Sequence, residues 1–344
     1  MLSLVCLQKR RQLMNRAEVQ KCLEEHYPGF EVSGRKTVLC RNSSIYMLDL
    51  CRGQIQKRIV VKISRNYQPR EVAIEYANLS RFYNGCKGGY ISSPKPLFVN
   101  AEKGILGMSY VQGTNFSLML HEVRPASLQC ISSAASLSGI ALARYHEIFS
   151  RSEGDHGDNL KIDAHAREDD INQFLSESRE HMAECNLWTH VTPFFDFTTW
   201  NILVSVDPSN NLRLFLIDFP RLDYVCTPHL DLARFRFGLE LIKQFPPSKF
   251  FGLNRWDVDA LYDQFLGSYC REMNVSLNDD DLWLIARARK AYIRRAQDLT
   301  RKGPCGWQPK LEQMYLRTFS RDWLDQGDVF SKWPGMGLAE REQA

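Results

Sequence analysis

Apolar and polar positions alternate through the first third of the chain and then pass into helical spacing. Between about Gly34 and Ile63, the segments KTVLCRN, SIYMLDL and KRIVVKI are alternating or β-branched and separated by polar turns, which predicts three strands. In REVAIEYANLSRFY, Val72, Tyr76, Leu79 and Phe82 recur on one helical face. PLFV and GILGMSYV predict two more strands around an NAEKG turn, ending near Val111. Strands this close together leave no room for crossovers, so a small antiparallel sheet carrying one helix is expected.

A QGTN connector follows, and the spacing beyond it is helical. SLQCISSAASLSGIALARYHEIF, DDINQFLSESREHMAE, LDLARFRFGLELIKQF, DVDALYDQFLGSYCREM, DLWLIARARKAYIRRAQDLT and LEQMYLRTFSRDWL are the predicted helices. One β-rich insert interrupts them, FFDFTTWNILVSVDPSNNLRLFLIDF, two strands joined at DPSNN. The pattern divides the chain into an N-terminal helical extension over 1–33, a sheet lobe over 34–107 and a hinge over 108–115. A helical lobe over 116–333 then contains the hairpin, and a disordered tail covers 334–344.

Composition narrows the class. With 44% hydrophobic and 24% charged residues in 344, the chain can bury a sizeable core. A net charge of +4 without clustering of basic residues gives no nucleic-acid footprint. The apolar run in MLSLVCLQKRR is too short for a signal segment, and no stretch reaches the length of a transmembrane span. Ten scattered cysteines form neither a C-x-x-C pair nor a zinc spacing, which favours free thiols in a cytoplasmic setting.

Candidate chemistry sits at the ends of the hairpin. Asp196 and Asn201 precede its first strand and Asp218 ends its second, so pairing of the strands is expected to bring three oxygen-bearing side chains together. Hard oxygen ligands with an open coordination sphere suit Mg²⁺ shared with phosphates. One carboxylate to orient a hydroxyl, an Asn and a second Asp for metal is the layout that phosphoryl transfer needs. The sheet lobe offers the complement, Lys62 in the third strand and Glu75 in the following helix, with Glu71 one turn earlier as the alternative acid.

HVTPFFDFTTWNILV resembles the HGDFTPWNILV segment of the aminoglycoside phosphotransferase-like kinases. LARYHEI is similar to their LARLHEI helix, LFLIDFPR to their metal-binding IDF segment, PHLDLARF to their P-x-x-DLA helix start, and GILGMSYVQGTNF to their hinge. The resemblance runs in order from Thr37 to Phe237. It implies an α+β, bilobal protein-kinase-like fold with an antiparallel-sheet N-lobe and a larger helical C-lobe. It further implies ATP and Mg²⁺ as cofactors and a small-molecule hydroxyl as acceptor.

By that similarity Asp196 is the catalytic base or hydroxyl-orienting group, and Asn201 and Asp218 are the metal ligands. Lys62 contacts the nucleotide phosphates and Glu75 pairs with Lys62. The backbone of Ser109, Tyr110 and Val111 meets the adenine edge, and Asp231 braces the catalytic loop. Two departures stand out: Phe194-Phe195 replaces the family's His-Gly, and the nucleotide-covering loop has Asn42, Ser43 and Ser44 where glycines are usual. Such a loop still presents N–H and O–H groups to phosphate. The alternative function is a catalytically impaired nucleotide-binding or scaffold protein on the same fold. A eukaryotic-type protein kinase is disfavoured, because no H-R-D, D-F-G or A-P-E segment occurs.

Other conspicuous residues have plainer readings. His146 is expected to pack against the catalytic loop, and Trp200 to lie in the core. Asn278 to Asp281 should cap the next helix. Arg287, Lys290 and Arg294 share one side of that helix, either as a solvated face or as a seat for an anionic acceptor group.

Overall fold

The computed structural model describes residues 19–39, 43–64, 67–86, 89–121, 128–150, 174, 176, 178, 181, 184–187, 191–207, 211–221, 226–243 and 256–301. Contacts divide the chain into two compact units, Met1–Gly113 with Leu203–Asp223, and Thr114–Ile202 with Tyr224–Ala344.

The first unit is built on a five-stranded antiparallel sheet. Its strands are β1 (Glu31–Leu39), β2 (Ser43–Arg52), β3 (Ile55–Ser64), β5 (Pro96–Asn100) and β6 (Ile105–Ser109), in the order β1-β2-β3-β6-β5. Successive strand side chains point to opposite faces. One face therefore gathers Tyr46, Leu48, Leu50, Ile59, Val61, Ile63 and Ile105 with Val19, Cys22 and Leu23 from a helical segment over 19–26. Lys62 lies between Val61 and Ile63, and so belongs to the other face.

Helix α1 (Pro69–Gly85) packs against β5 and β6. Its buried positions are Val72, Glu75, Leu79 and Phe82, so the charged Glu75 holds the place expected of Tyr76. A short strand that the sequence reading missed, β4 (Ile91–Ser92), pairs in parallel with β9 (Leu212–Leu216), which neighbours β8 (Ile202–Val206). That pairing accounts for the grouping of 203–223 with the sheet-bearing unit, whereas the sequence pattern put the hairpin with the helices.

The second unit is mainly helical. It contains β7 (Thr114–Asn115), α2 (Phe116–His121), α3 (Leu128–Phe149), α4 (His229–Lys243), α5 (Val258–Met273) and α6 (Asp279–Arg301), with a 3-10 turn at Thr199–Asn201. Helix α3 packs on α5, and α4 packs on α5 and α6. An aromatic chain fills its interior: Tyr145 meets Phe149 and Phe194, Phe194 meets Phe197, and Phe197 leads to Phe235 and Phe265. The helix expected over 311–324 and the tail fall outside the described residues. Among the described residues, no helix is long and apolar enough to cross a membrane.

Candidate active site

The candidate residues form one constellation in each unit. In the first, Lys62 Nζ lies 2.5 Å from Glu75 Oε1 and also bonds Asp218 Oδ1. The other Glu75 oxygen, Oε2, accepts from Arg221 Nε at 2.8 Å. Lys62 and Glu75 are buried, whereas the Asp218 side chain keeps 48% of its exposure. Two cations and two carboxylates thus make a neutral network, the arrangement in which buried charge is tolerated. Burial works against the charge on Lys62, but Glu75 and Asp218 outweigh it and hold the ammonium above the ordinary lysine range. Desolvation likewise opposes the charge on Asp218, yet Lys62, with Arg221 beyond it, keeps that carboxyl below the usual aspartate range. Glu71 is not the lysine's partner, because its carboxylate accepts from the Gln68 N–H and caps α1.

Of the other residues expected to meet the nucleotide, Ser43, Ser44 and Ser109 lie on the same sheet, and Tyr110 and Val111 follow its strand β6. Ser43 and Ser44 are the buried first residues of β2, opposite Ser64 and Ile63, and the loop tip at 40–42 falls outside the described residues. At the expected hinge, the Ser109 N–H donates to the Lys95 carbonyl and the Tyr110 N–H to the Arg58 carbonyl. Those two amides are therefore committed within the protein. An adenine contact there would have to use their carbonyls or Val111.

The second unit holds the loop that carries Asp196. Asp231, in the first turn of α4, is fully buried, and its two oxygens accept the N–H groups of Phe194 and Phe195, each at 2.7 Å. His146 Nε2 lies 3.0 Å from Asp231 Oδ2, while its Nδ1 lies 2.9 Å from the Tyr269 hydroxyl. Burial and the neighbouring Asp231 carboxylate push the Tyr269 pKa well up, so its O–H remains a donor to Nδ1 and the imidazole donates to Asp231. His146 is a brace, as the sequence suggested.

The loop tolerates its two phenylalanines for separate reasons. The Phe194 ring is buried among Tyr145 and Phe197, which gives it a packing role. Phe195 adopts φ +61°, the left-handed conformation for which glycine is favoured, and the Asp231 bond holds it there.

Asp196 follows with its side chain half exposed. Its Oδ2 accepts from Asn201 Nδ2 at 3.1 Å, and its Oδ1 accepts from Arg234 Nη2 at 2.6 Å. Asn201 Nδ2 also donates to the Asp196 carbonyl at 2.9 Å, which leaves the Asn201 amide oxygen as its end for a cation. Arg234 stacks over Tyr292 and Phe237. Burial works against its charge, but Asp196 foremost, with Tyr292 and Asp231, holds the guanidinium above its ordinary range.

Arg234 and Arg221 are the residues that sequence reasoning missed. Each stands three positions after an acid already singled out, Asp231 and Asp218. In α4 that i, i+3 spacing puts the arginine on the acid's face, yet Arg234 pairs with Asp196 and Arg221 with Glu75, partners that the spacing does not reveal.

Three other expectations are settled in the second unit. Trp200 is not core but 48% exposed, with its carbonyl bonded by the Asn115 side chain. Asn278 and Asp281 do cap α6, each side chain accepting from the other's N–H. Asp281 also meets His229 Nε2 at 2.9 Å and the Leu187 N–H at 3.1 Å, a buried joint with Cys185 close by. On α6, Ala288, Arg289, Ala291 and Tyr292 are buried, and Arg289 pairs with Glu240. Lys290 and Arg294 fall on the outer side, away from the Tyr292 that Arg234 touches. The stripe is divided: Lys290 and Arg294 are exposed, whereas Arg287 is half-buried with its guanidinium over the Trp283 ring.

The sequence matches no family profile. It matches no curated protein either. Compared as a structure, the chain is similar to spectinomycin phosphotransferase APH(9)-Ia, solved with ADP and spectinomycin, at 13% identity over 89% of this chain and 93% of that one (TM-score 0.51). It is similar to a microcompartment-associated aminopropanol kinase at 14% identity over 90% and 98% (TM-score 0.51). It also resembles the macrolide 2'-phosphotransferase MphH of Brachybacterium faecium at 12% identity over 82% and 90% (TM-score 0.50). At these identities the likeness is one of fold. The chain has the α+β fold of the aminoglycoside phosphotransferases and related small-molecule kinases.

Proposed function

We propose that the protein transfers the γ-phosphoryl group of ATP to a hydroxyl of a small molecule such as a sugar, an amino alcohol or a glycan precursor. The observation that carries this is the Lys62 network. A buried lysine is held by one buried carboxylate, Glu75, and by one half-exposed carboxylate, Asp218, that can exchange the ammonium for a metal ion. Lys62 is then available to phosphate without leaving Glu75.

By donor chemistry Asn201, with its amide oxygen, and Asp218, with its carboxylate, would be the magnesium ligands. When bound, the ion would neutralise charge on the phosphates. Asp196 would accept the hydrogen bond of the acceptor hydroxyl and take its proton. The new bond forms between that oxygen and the γ-phosphorus as the bond to the ADP oxygen breaks. Arg234 and Asn201 fix both Asp196 oxygens, so the carboxylate stays aimed during transfer. Among the described residues the cysteines are unbridged, which supports a reducing, cytoplasmic setting.

The test is ATP binding titrated with Mg²⁺, beside Asp218→Asn and Asp196→Asn variants. We expect Asp218→Asn to lose metal-dependent binding. Asp196→Asn should keep binding but lose transfer by a factor on the order of 10² to 10⁴. Transfer that survives Asp196→Asn would refute the mechanism. A wild type that binds no ATP would favour the impaired, scaffold-type alternative, to which Phe194-Phe195 and the glycine-free loop point.

A further inference from the structure

The segment that carries Asp218 is tied to α1 at three points, all on one side of that helix. Glu75 Oε2 accepts from Arg221 Nε at 2.8 Å. One turn on, Asn78 Nδ2 donates to the Pro220 carbonyl at 3.0 Å. One further turn on, the Phe82 ring meets the Phe219 ring at a centroid distance of 5.5 Å, both rings being buried. Positions 75, 78 and 82 recur at the i, i+3, i+7 spacing of a single helical stripe. Residues 219, 220 and 221 are thus each held by one member of that stripe.

This anchoring has a local reason. Asp218 itself adopts φ +61°, a left-handed conformation that is unfavourable for an aspartate unless its surroundings fix it. Lys62 alone cannot fix it, because binding a metal ion at Asp218 would release that contact. We propose that Arg221 and Asn78 are positioning residues, which hold the Asp218 segment against α1 whether or not Lys62 is bonded to Asp218. Glu75 thereby serves two cations, one oxygen for Lys62 and the other for Arg221. The helix that orients the phosphate-binding lysine also sets the metal-binding carboxylate. The proposal deepens the phosphotransferase reading and rests on it for the identity of the ligand, though not for the anchoring.

The test uses the full chain as wild type, Arg221→Ala, Arg221→Lys and Asn78→Ala, with two measurements. In the first, ATP binding is titrated with Mg²⁺. Loss of a charge-assisted bond should raise the half-saturating Mg²⁺ concentration about tenfold in Arg221→Ala, and loss of a neutral one about threefold in Asn78→Ala. Arg221→Lys should recover much of the difference. The combined Arg221→Ala, Asn78→Ala variant should show less than the product of the two effects, since both hold one segment. Simple electrostatics predicts the opposite sign, because removing a cation beside a metal site tightens metal binding. An Mg²⁺ requirement unchanged or lowered in Arg221→Ala would therefore overturn the proposal.

In the second measurement, amide hydrogen exchange is followed over 214–221, with β2 and β3 as internal reference. Exchange should quicken at Asp218, Phe219 and Arg221 or its replacement in Arg221→Ala and Asn78→Ala while the reference strands stay unchanged, and equal exchange in all variants would overturn the anchoring. If the wild type binds no ATP at any Mg²⁺ concentration, the phosphotransferase reading fails, and the exchange data alone decide whether α1 holds the segment.

Discussion

Phe195 is held in a constrained geometry within the loop that carries Asp196. Its amide is fixed by Asp231 and its φ of +61° suits glycine, yet it carries a half-buried ring. In the left-handed region a Cβ is penalised whatever lies beyond it. Phe195→Gly should therefore be more stable than Phe195→Ala by about 1 kcal/mol, the reverse of the order at most positions. Denaturant titration of the two variants measures this, and an alanine variant as stable as the glycine one would show that the loop relaxes. The loop's acids were legible in the sequence because they interrupt apolar runs. The two arginines were not, since a single arginine near an acid is ordinary in any chain. Only the folded backbone shows Arg234 reaching Asp196, and Arg221 reaching Glu75 instead of solvent.

Among the elements, the α3–α5 pair depends on one small residue. A Cβ on Gly139 would lie 2.1 Å from the Phe265 carbonyl oxygen and 2.9 Å from the Tyr269 nitrogen, both backbone atoms that cannot swing away. Gly139→Ala should thus destabilise the protein by about 3 kcal/mol through overpacking, although alanine is the better helix former by about 1 kcal/mol. A variant as stable as wild type in urea would mean that α3 and α5 shift apart at little cost. Strong periodicity made α1, α3, α4, α5 and α6 readable from sequence. The two-residue strand β4 carries too little pattern to be seen, and its parallel partner β9 lies more than a hundred residues away. Tyr76 gave way to Glu75 on the buried face of α1 for a related reason. Periodicity ranks apolar residues inward, but a buried lysine from another strand can draw in an acid.

For the molecule as a whole, acid stability should depend on the joint of His229 and Asp281. Burial depresses the His229 pKa below the ordinary histidine value despite its bond to Asp281, so the folded protein keeps this imidazole neutral. The unfolded chain binds a proton there as pH falls through about 6.5, and the folded chain does not. This contribution is accordingly complete above that pH and is lost as pH drops toward the depressed folded value. Asp281 adds to it at lower pH. Its folded pKa is lowered, against desolvation, by bonds from His229, Asn278 and Leu187, so its contribution is present above the usual aspartate value and declines below it. Denaturant midpoints measured from pH 7.5 to 5 should fall in the wild type, with a shallower slope in His229→Gln. A slope unchanged in that variant would assign it to another group.

By itself the sequence determined the succession of the longer strands and helices, most of the positions they bury, and the acids, amide and lysine of the candidate site, because hydrophobic period and interrupted apolar runs are local properties. Tertiary structure alone decided that Glu75 and not Glu71 meets Lys62, that Arg221 and Arg234 join the site, that Trp200 faces outward, and that the hairpin groups with the sheet. Each of these is a pairing between residues distant in sequence, and charged partners carry no period from which such a pairing could be read.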